Sequence, residues 1–189
     1  LVSKHIISPS SCSPIINPSQ DNLLGLYKIT ENGIVFTHKE VMNMMMGVNK
    51  FNGRLPEPAI KEGSYVRWTG KQVFSVVLPN ISLKRKVDKA FLEDVIIDSG
   101  ILKQGQVDKG VSGEIIHTIF NEYGYKEATR YLNDLQKIIT RFMTRCGFSV
   151  GISDLFLHND IKKRNHEKIL DAKKEVIDIT KKSHLNILT

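Results

Sequence analysis

One stretch constrains this chain more than any other. From Asn121 to Asp154 it reads as a long amphipathic helix closing on Gly147-Phe148-Ser149-Val150-Gly151-Ile152-Ser153-Asp154. Ala128, Leu132, Leu135, Ile139, Phe142 and Cys146 recur at alternating steps of four and three, which is one face of an α-helix. Arg130, Asn133, Asp134, Lys137 and Arg141 fall on the other side and are expected in solvent. Gly147 stands where the helix should stop, because glycine alone takes φ > 0 without a Cβ penalty. A rigid helix delivering a glycine-hinged, hydroxyl-bearing loop has the character of a site.

Gly147-x-Ser149-x-Gly151 also matches the spacing of a hydrolase nucleophile elbow, with Asp154, His158, Asp160 and His166 downstream. The elbow needs a strand before the serine and a helix after it. Here a helix precedes, and no alternation of strands and helices surrounds it, so a serine hydrolase is disfavoured against a plain helix–loop junction.

With 189 residues, 41% of them hydrophobic, the chain can bury a real core as one domain or two small ones. Its net charge of +7 and isoelectric point near 9.4 favour a polyanionic partner, or neighbours that neutralise it in a larger assembly. Two cysteines, Cys12 and Cys146, are too few for a disulfide framework or a thiolate zinc site. Cys146 lies on the apolar stripe and is expected in the core. The six histidines show no metal-ligand spacing. No apolar run approaches the ~20 residues of a membrane span. The start, Leu1-Val2-Ser3-Lys4, has neither an initiator methionine nor a signal pattern, so a piece of a longer protein is expected.

Residues 1–20, with Pro9, Pro14 and Pro18, should be extended and turn-rich, anchored by Ile6-Ile7 and Ile15-Ile16. Asp21-Asn22 can cap a helix through Leu23, Leu24, Leu26 and Tyr27. Glu31-Asn32-Gly33 is a turn before a short strand, Ile34-Val35-Phe36. Thr37 with Glu40 forms a capping box that opens a helix carrying Val41, Met44, Met45 and Val48. The methionine run Met42, Met44, Met45, Met46 is read as core filler rather than a soft-metal site. Leu55-Pro56-Glu57-Pro58-Ala59 must be extended. Thr69 with Gln72 makes a second capping box, so the β-prone Val73–Leu78 run is read as a short buried helix stopped by Pro79. Lys71 in its first turn opposes the helix dipole and is either solvated or aimed at an anion.

Asp94–Lys103 reads as a tight hairpin about Asp98-Ser99-Gly100. Gly105-Gln106-Val107-Asp108-Lys109-Gly110 has the outer spacing of a P-loop, but Val111-Ser112 replaces the Lys-Ser/Thr pair that such a loop needs. A close backbone approach to phosphate beside Lys109 and a plain glycine-rich turn both stay open. Ser112 can cap a helix through Ile115, Ile116 and Ile119, interrupted at Tyr123-Gly124. Asn159 or Asp160 opens a last helix with a narrow stripe, Ile169, Ala172, Val176 and Ile179, among many lysines. It meets no stop before Thr189, as if cut within a helical hairpin.

Several stretches then read together. Gln20-Asp21-Asn22-Leu23, Leu55-Pro56-Glu57-Pro58-Ala59-Ile60, Trp68-Thr69-Gly70-Lys71-Gln72, Asp98-Ser99-Gly100 with Val107-Asp108-Lys109, Asn121-Glu122-Tyr123-Gly124, and Gly147 through Asp154 resemble, in this order, the largest subunit of multisubunit DNA-dependent RNA polymerases. Asp171-Ala172-Lys173-Lys174-Glu175-Val176 through Asn186-Ile187-Leu188-Thr189 is similar to the first funnel helix of that family. Each motif is weak alone; the ordered set is specific and spans almost the whole chain.

The resemblance implies an α+β fold, mainly helical with short antiparallel hairpins, ending in a long funnel helix. It implies a pore domain over residues 1–154 and the first part of a funnel over 155–189. In the family these line the secondary channel for nucleoside triphosphate entry and RNA 3′-end extrusion. Lys109 matches a pore lysine, and Lys71 and Gln20 match positions close to the active centre. Gly147, Ser149, Gly151 and Asp154 match a loop packed beneath that centre, which leaves Ser149 no nucleophilic role. Implied partners are the second-largest subunit and other polymerase subunits, template DNA, nascent RNA, nucleoside triphosphates and transcript-cleavage or elongation factors, with no membrane. The catalytic Mg²⁺ loop of the family, Asn-Ala-Asp-Phe-Asp-Gly-Asp, does not occur here, so metal and nucleotidyltransferase activity belong to the parent enzyme. A second family lysine is replaced by Gly110, which suggests weaker local charge. Nuclear and viral (host-cytoplasmic or virion) settings both fit. The alternative is a stand-alone basic nucleic-acid-binding module without catalysis.

Overall fold

The computed structural model describes residues 2–63, 65–86 and 93–184. The end of the funnel-helix resemblance, Asn186–Thr189, lies outside the described residues. The chain divides into two units, Leu1–Gly147 and Phe148–Thr189. The first contains α1 (Asp21–Ile29), β1 (Val35–Thr37), α2 (His38–Met45), β2 (Ile60–Glu62), β3 (Tyr65–Thr69), α3 (Gly70–Ser75), β4 (Leu83–Arg85), β5 (Val95–Asp98), β6 (Ile101–Gln104), α4 (Lys109–Tyr123) and α5 (Tyr125–Cys146). The described residues of the second contain a 3₁₀ turn, Ile152–Leu155, and α6 (Asn159–His184). This is the α+β, mainly helical class that the sequence implies.

Two small antiparallel sheets flank the helices, in the orders β1-β3-β2 and β4-β5-β6. The expected hairpin forms as β5 and β6, with Asp98 opposite Ile101. Its turn places Ser99 at φ 52° and Gly100 at φ 77°, the pair of positive φ values that suits the right-handed twist of the flanking strands. β2, β3 and β4 are only three to five residues long, too short for alternation to announce them.

α5 organises the first unit, packing against α1, α4 and α2. Its buried face is Ala128, Tyr131, Asp134, Leu135, Ile138, Ile139 and Phe142. Two expectations are corrected here. Asp134, placed in solvent by periodicity, is 1% exposed, because its carboxylate accepts hydrogen bonds from the backbone N–H groups of Asn49 (3.0 Å) and Lys50 (3.2 Å). Cys146, placed in the core, is exposed, since Met143 is the last α5 side chain packed against the core. The helix is also shorter than the stretch that suggested it: Gly124, at φ 80°, separates it from α4.

Two other caps differ from expectation. α1 has Gln20, not Asp21 or Asn22, at its N-cap. α4 begins at Lys109 rather than after Ser112, because the Asp108 carboxylate accepts from the Val111 N–H at 2.8 Å. Ser112 is buried in the helix instead. In the lead-in segment Ile6 is buried but Ile15 is 64% exposed. Met44 and Met45 fill the core as expected, while Met46 is exposed.

Both capping boxes form. The Thr37 N–H donates to Glu40 Oε2 at 2.8 Å, and Thr69 and Gln72 exchange bonds of 3.0 and 3.3 Å. Glu40 also meets Arg145 of α5 at 2.7 Å. The Thr37 amide first, and Arg145 second, hold the Glu40 carboxyl below the usual carboxylate range. A depressed carboxylate contributes stability above its unfolded pKa and loses it as pH falls through the folded one. Glu40→Gln should therefore flatten the acid limb of stability below the ordinary carboxylate pKa. Urea midpoints for the variant and the parent chain, taken from neutral pH to about pH 3, should converge on acidification. Parallel lines would refute the assignment.

In the second unit the Asp154 carboxylate accepts from the Gly151 N–H at 2.8 Å and closes the 3₁₀ turn. α6 exposes Ile169, Val176 and Ile179 among its charged residues.

Candidate functional site

The segment before α1 is tied to the start of α4 by one side chain. Asn17 Nδ2 donates to the Lys109 carbonyl at 3.2 Å, and Ser112 Oγ donates to Asn17 Oδ1 at 2.8 Å. A second tie lies at the far end of α1. There the Val107 N–H donates to Thr30 Oγ1 at 3.0 Å, and that hydroxyl donates to the Leu26 carbonyl at 2.9 Å. The two ties lay the 107–109 segment alongside α1. Between them is a shallow depression of about 360 Å³ lined by Gln20, Leu23, Leu24, Tyr27, Asp108 and Lys109.

Gln20 and Lys109 are thus brought together, 89 positions apart in sequence. Gln20 sits at φ 51°, ψ −126° and makes no side-chain capping bond. A non-glycine residue there carries about 1–3 kcal/mol of local strain. Lys109 is exposed on the first turn of α4, against the helix dipole.

Arg85 is a cation that no local pattern placed here. A Cβ built on Gly110 would lie 2.7 Å from Arg85 Nη2, so the guanidinium packs directly over that glycine. Arg85 also pairs with Glu114 at 2.8 Å. The glycine in place of a second lysine therefore makes room for an arginine from β4, whose charge is matched by Glu114. Only an aligned view of β4 and α4 would have found it.

Lys71 is not among the residues lining this depression. Its Nζ donates to Asn32 Oδ1 at 2.7 Å, beyond the C-terminal end of α1, whereas Gln20 opens that nine-residue helix. The bond is at the exposed surface, so of the two expected environments the solvated one holds, with a neutral amide as its protein partner. Gly147 ends α5 at φ 57°, its N–H donating to the Met143 carbonyl at 2.8 Å. Ser149 follows in irregular backbone, with a helix and not a strand before it, so the nucleophile-elbow geometry is absent. Among the described residues no three His, Cys, Asp or Glu side chains are grouped so as to hold a metal ion.

Residues 5–155 match the family model for RNA polymerase Rpb1, domain 3. The chain belongs to this family. Over 190 aligned residues it is 30% identical to DNA-directed RNA polymerase II subunit RPB1-B of Trypanosoma brucei brucei, and 30% identical to subunit RPB1-A of the same organism. Each alignment covers 93% of this chain and 10% of the relative, so the chain spans about a tenth of the length of these curated relatives. The resemblance to the polymerase largest subunit is borne out. Within an Rpb1 domain 3, the strained Gln20 and the exposed Lys109 are brought to one depression from 89 positions apart.

Proposed function

We propose that this chain is the pore (residues 1–154) and the start of the funnel (155–189) of a DNA-directed RNA polymerase largest subunit. Its Gln20–Lys109 face borders the channel through which nucleoside triphosphates enter and the RNA 3′ end is extruded. The observation that carries this reading is the convergence of Gln20 and Lys109 on one shallow face of an Rpb1-family domain. Cations on a channel wall raise the local concentration of phosphates and track a nucleic-acid backbone. Lys71 acts as a brace between α3 and the end of α1.

The segment from Gly147 to Asp154 is a packing surface in this reading. Phe148, Val150 and Ile152 are 61%, 59% and 75% exposed on this chain, and other parts of the polymerase, the second-largest subunit foremost, cover them. Template DNA, nascent RNA, nucleoside triphosphates and transcript-cleavage or elongation factors are partners of the whole enzyme, which works in the nucleus of a eukaryote. The described residues offer no Mg²⁺ site. The metal and the nucleotidyltransfer it supports rest on other parts of the enzyme, and the chain alone is inactive.

The test is crosslinking in the assembled polymerase, from a 4-thiouridine at the 3′ end of a backtracked RNA. Crosslinks are expected in residues 17–24 and 105–114. Lys109→Ala should lower their yield several-fold and reduce the log–log salt slope of 3′-end retention by about one, as for one lost phosphate contact. Crosslinks confined to other parts of the enzyme would sink the proposal.

A further inference from the structure

A cavity of about 440 Å³ lies on the other side of the 16–19 segment, between that segment, the 3₁₀ turn at Val2–His5 and α5. Its size falls within the range of small-molecule sites. The floor is apolar and solidly built: Ile6, Leu135 and Ile139 line it and are each 1% exposed. Around it stand the carboxamides of Asn22, Asn133 and Gln136. None of these three side-chain amides has a hydrogen-bond partner among the described residues. No charged side chain lines the cavity among the described residues.

We propose that this cavity is a binding site for a neutral planar heterocycle bearing adjacent hydrogen-bond donors and acceptors, of the nucleobase type. An apolar floor takes the flat face. Carboxamides present a donor and an acceptor side by side, and so pair in two-bond fashion with a ring edge that does the same. Without a cation the site gives a phosphate no compensation for desolvation, which sets it apart from the Lys109 face. Filling it is felt on that face nonetheless. Asn17 lines the cavity and is the same side chain that binds the Lys109 carbonyl and Ser112. A ligand here stiffens the strap that ends in Gln20.

The probe is adenosine, titrated into the full 189-residue chain and followed by backbone amide NMR shifts. Saturable shifts are expected in residues 16–22 and 129–139, with half-saturation at about 0.1–1 mM, the scale set by drug-sized ligand efficiency. A second, smaller set is expected at Lys109–Ser112. The double variant Asn133→Ala/Gln136→Ala should weaken binding about tenfold through two lost hydrogen bonds. Both positions are exposed on α5 and alanine favours helix, so the fold is retained. Cyclohexanol, apolar and non-planar, should not compete. The proposal is overturned by an absence of saturable shifts up to about 10 mM, by equal affinity in the double variant, or by cyclohexanol displacing adenosine at equal concentration. The last result would mark the cavity as a socket for an apolar side chain of a neighbouring protein.

Discussion

Gly70→Ala is expected to destabilise the first unit by about 3 kcal/mol or more, an unusual cost for adding one methyl group. The cause is a backbone contact. A Cβ at this position would lie 1.9 Å from the carbonyl oxygen of Ile29 and 3.0 Å from its carbonyl carbon, far inside van der Waals separation. Neither atom is the end of a flexible side chain. Ile29 closes α1 and is 1% exposed, so the carbonyl cannot swing away without moving a helix end out of the core. Gly70 is no freer, since its N–H donates to the Ile34 carbonyl at 3.0 Å and it opens α3 directly behind the Thr69 cap. The only relief is separation of α1 from α3. That separation would also pull apart Lys71 and Asn32, and displace Thr30 from the Val107 N–H that it accepts. Urea denaturation should show a lower midpoint for the variant. Gly113→Ala serves as the control: a Cβ there meets only Asn17 Nδ2 at 3.7 Å, and the change should be neutral or slightly stabilising, as alanine favours helix. A Gly70→Ala chain as stable as its parent would show that α1 and α3 are not in register as described.

The signals legible in the sequence were those completed within a few residues. The Thr37–Glu40 and Thr69–Gln72 boxes, the Asp98-Ser99-Gly100 turn and the Gly147 stop each need only their own neighbours, and each forms. The second box decided against the strand propensity of the Val73–Leu78 run, because two capping bonds outweigh a weak intrinsic preference, but the helix ends at Ser75 and the run continues as turn rather than helix to Pro79. What sequence could not supply was contact between distant segments. Asn17 reaches α4 across more than ninety positions, and Arg85 covers Gly110 from a three-residue strand. No local period encodes either. Gln20 came from resemblance alone and Lys109 from a glycine-rich spacing as well, and their meeting at one depression is a fact of the fold. Asp108 takes the α4 cap through its bond from the Val111 N–H, which leaves Ser112 inside the helix and bonded to Asn17 instead.

Asp134→Ala is expected to cost about 2–4 kcal/mol, the second large effect, and for the opposite reason to Gly70→Ala: it removes atoms that other groups need. The carboxylate is 1% exposed and holds the backbone N–H groups of Asn49 and Lys50, with Lys137 Nζ at 3.7 Å. Removing it leaves two partly buried donors without a partner, each worth about 1–3 kcal/mol of desolvation. Lys137 keeps its bond to the Gly47 carbonyl at 2.8 Å, and Arg141 still holds the carbonyls of Asn43 and Met44 at 3.0 and 3.2 Å. These cations on α5 satisfy carbonyls at the end of α2, and Asp134 satisfies the amides that follow. Together they clamp both polarities of one turn of backbone onto a single helix face. The variant should therefore lose stability locally before it does so globally. Amide hydrogen exchange at Asn49 and Lys50 should accelerate most, and the Arg141-bound end of α2 less. Asp134→Asn separates charge from hydrogen bonding. The amide retains one acceptor oxygen for one of the two N–H groups, so its cost should fall to about half that of alanine. Equal losses in the two variants would mean that the negative charge opposite Lys137, rather than the pair of backbone bonds, holds the turn in place.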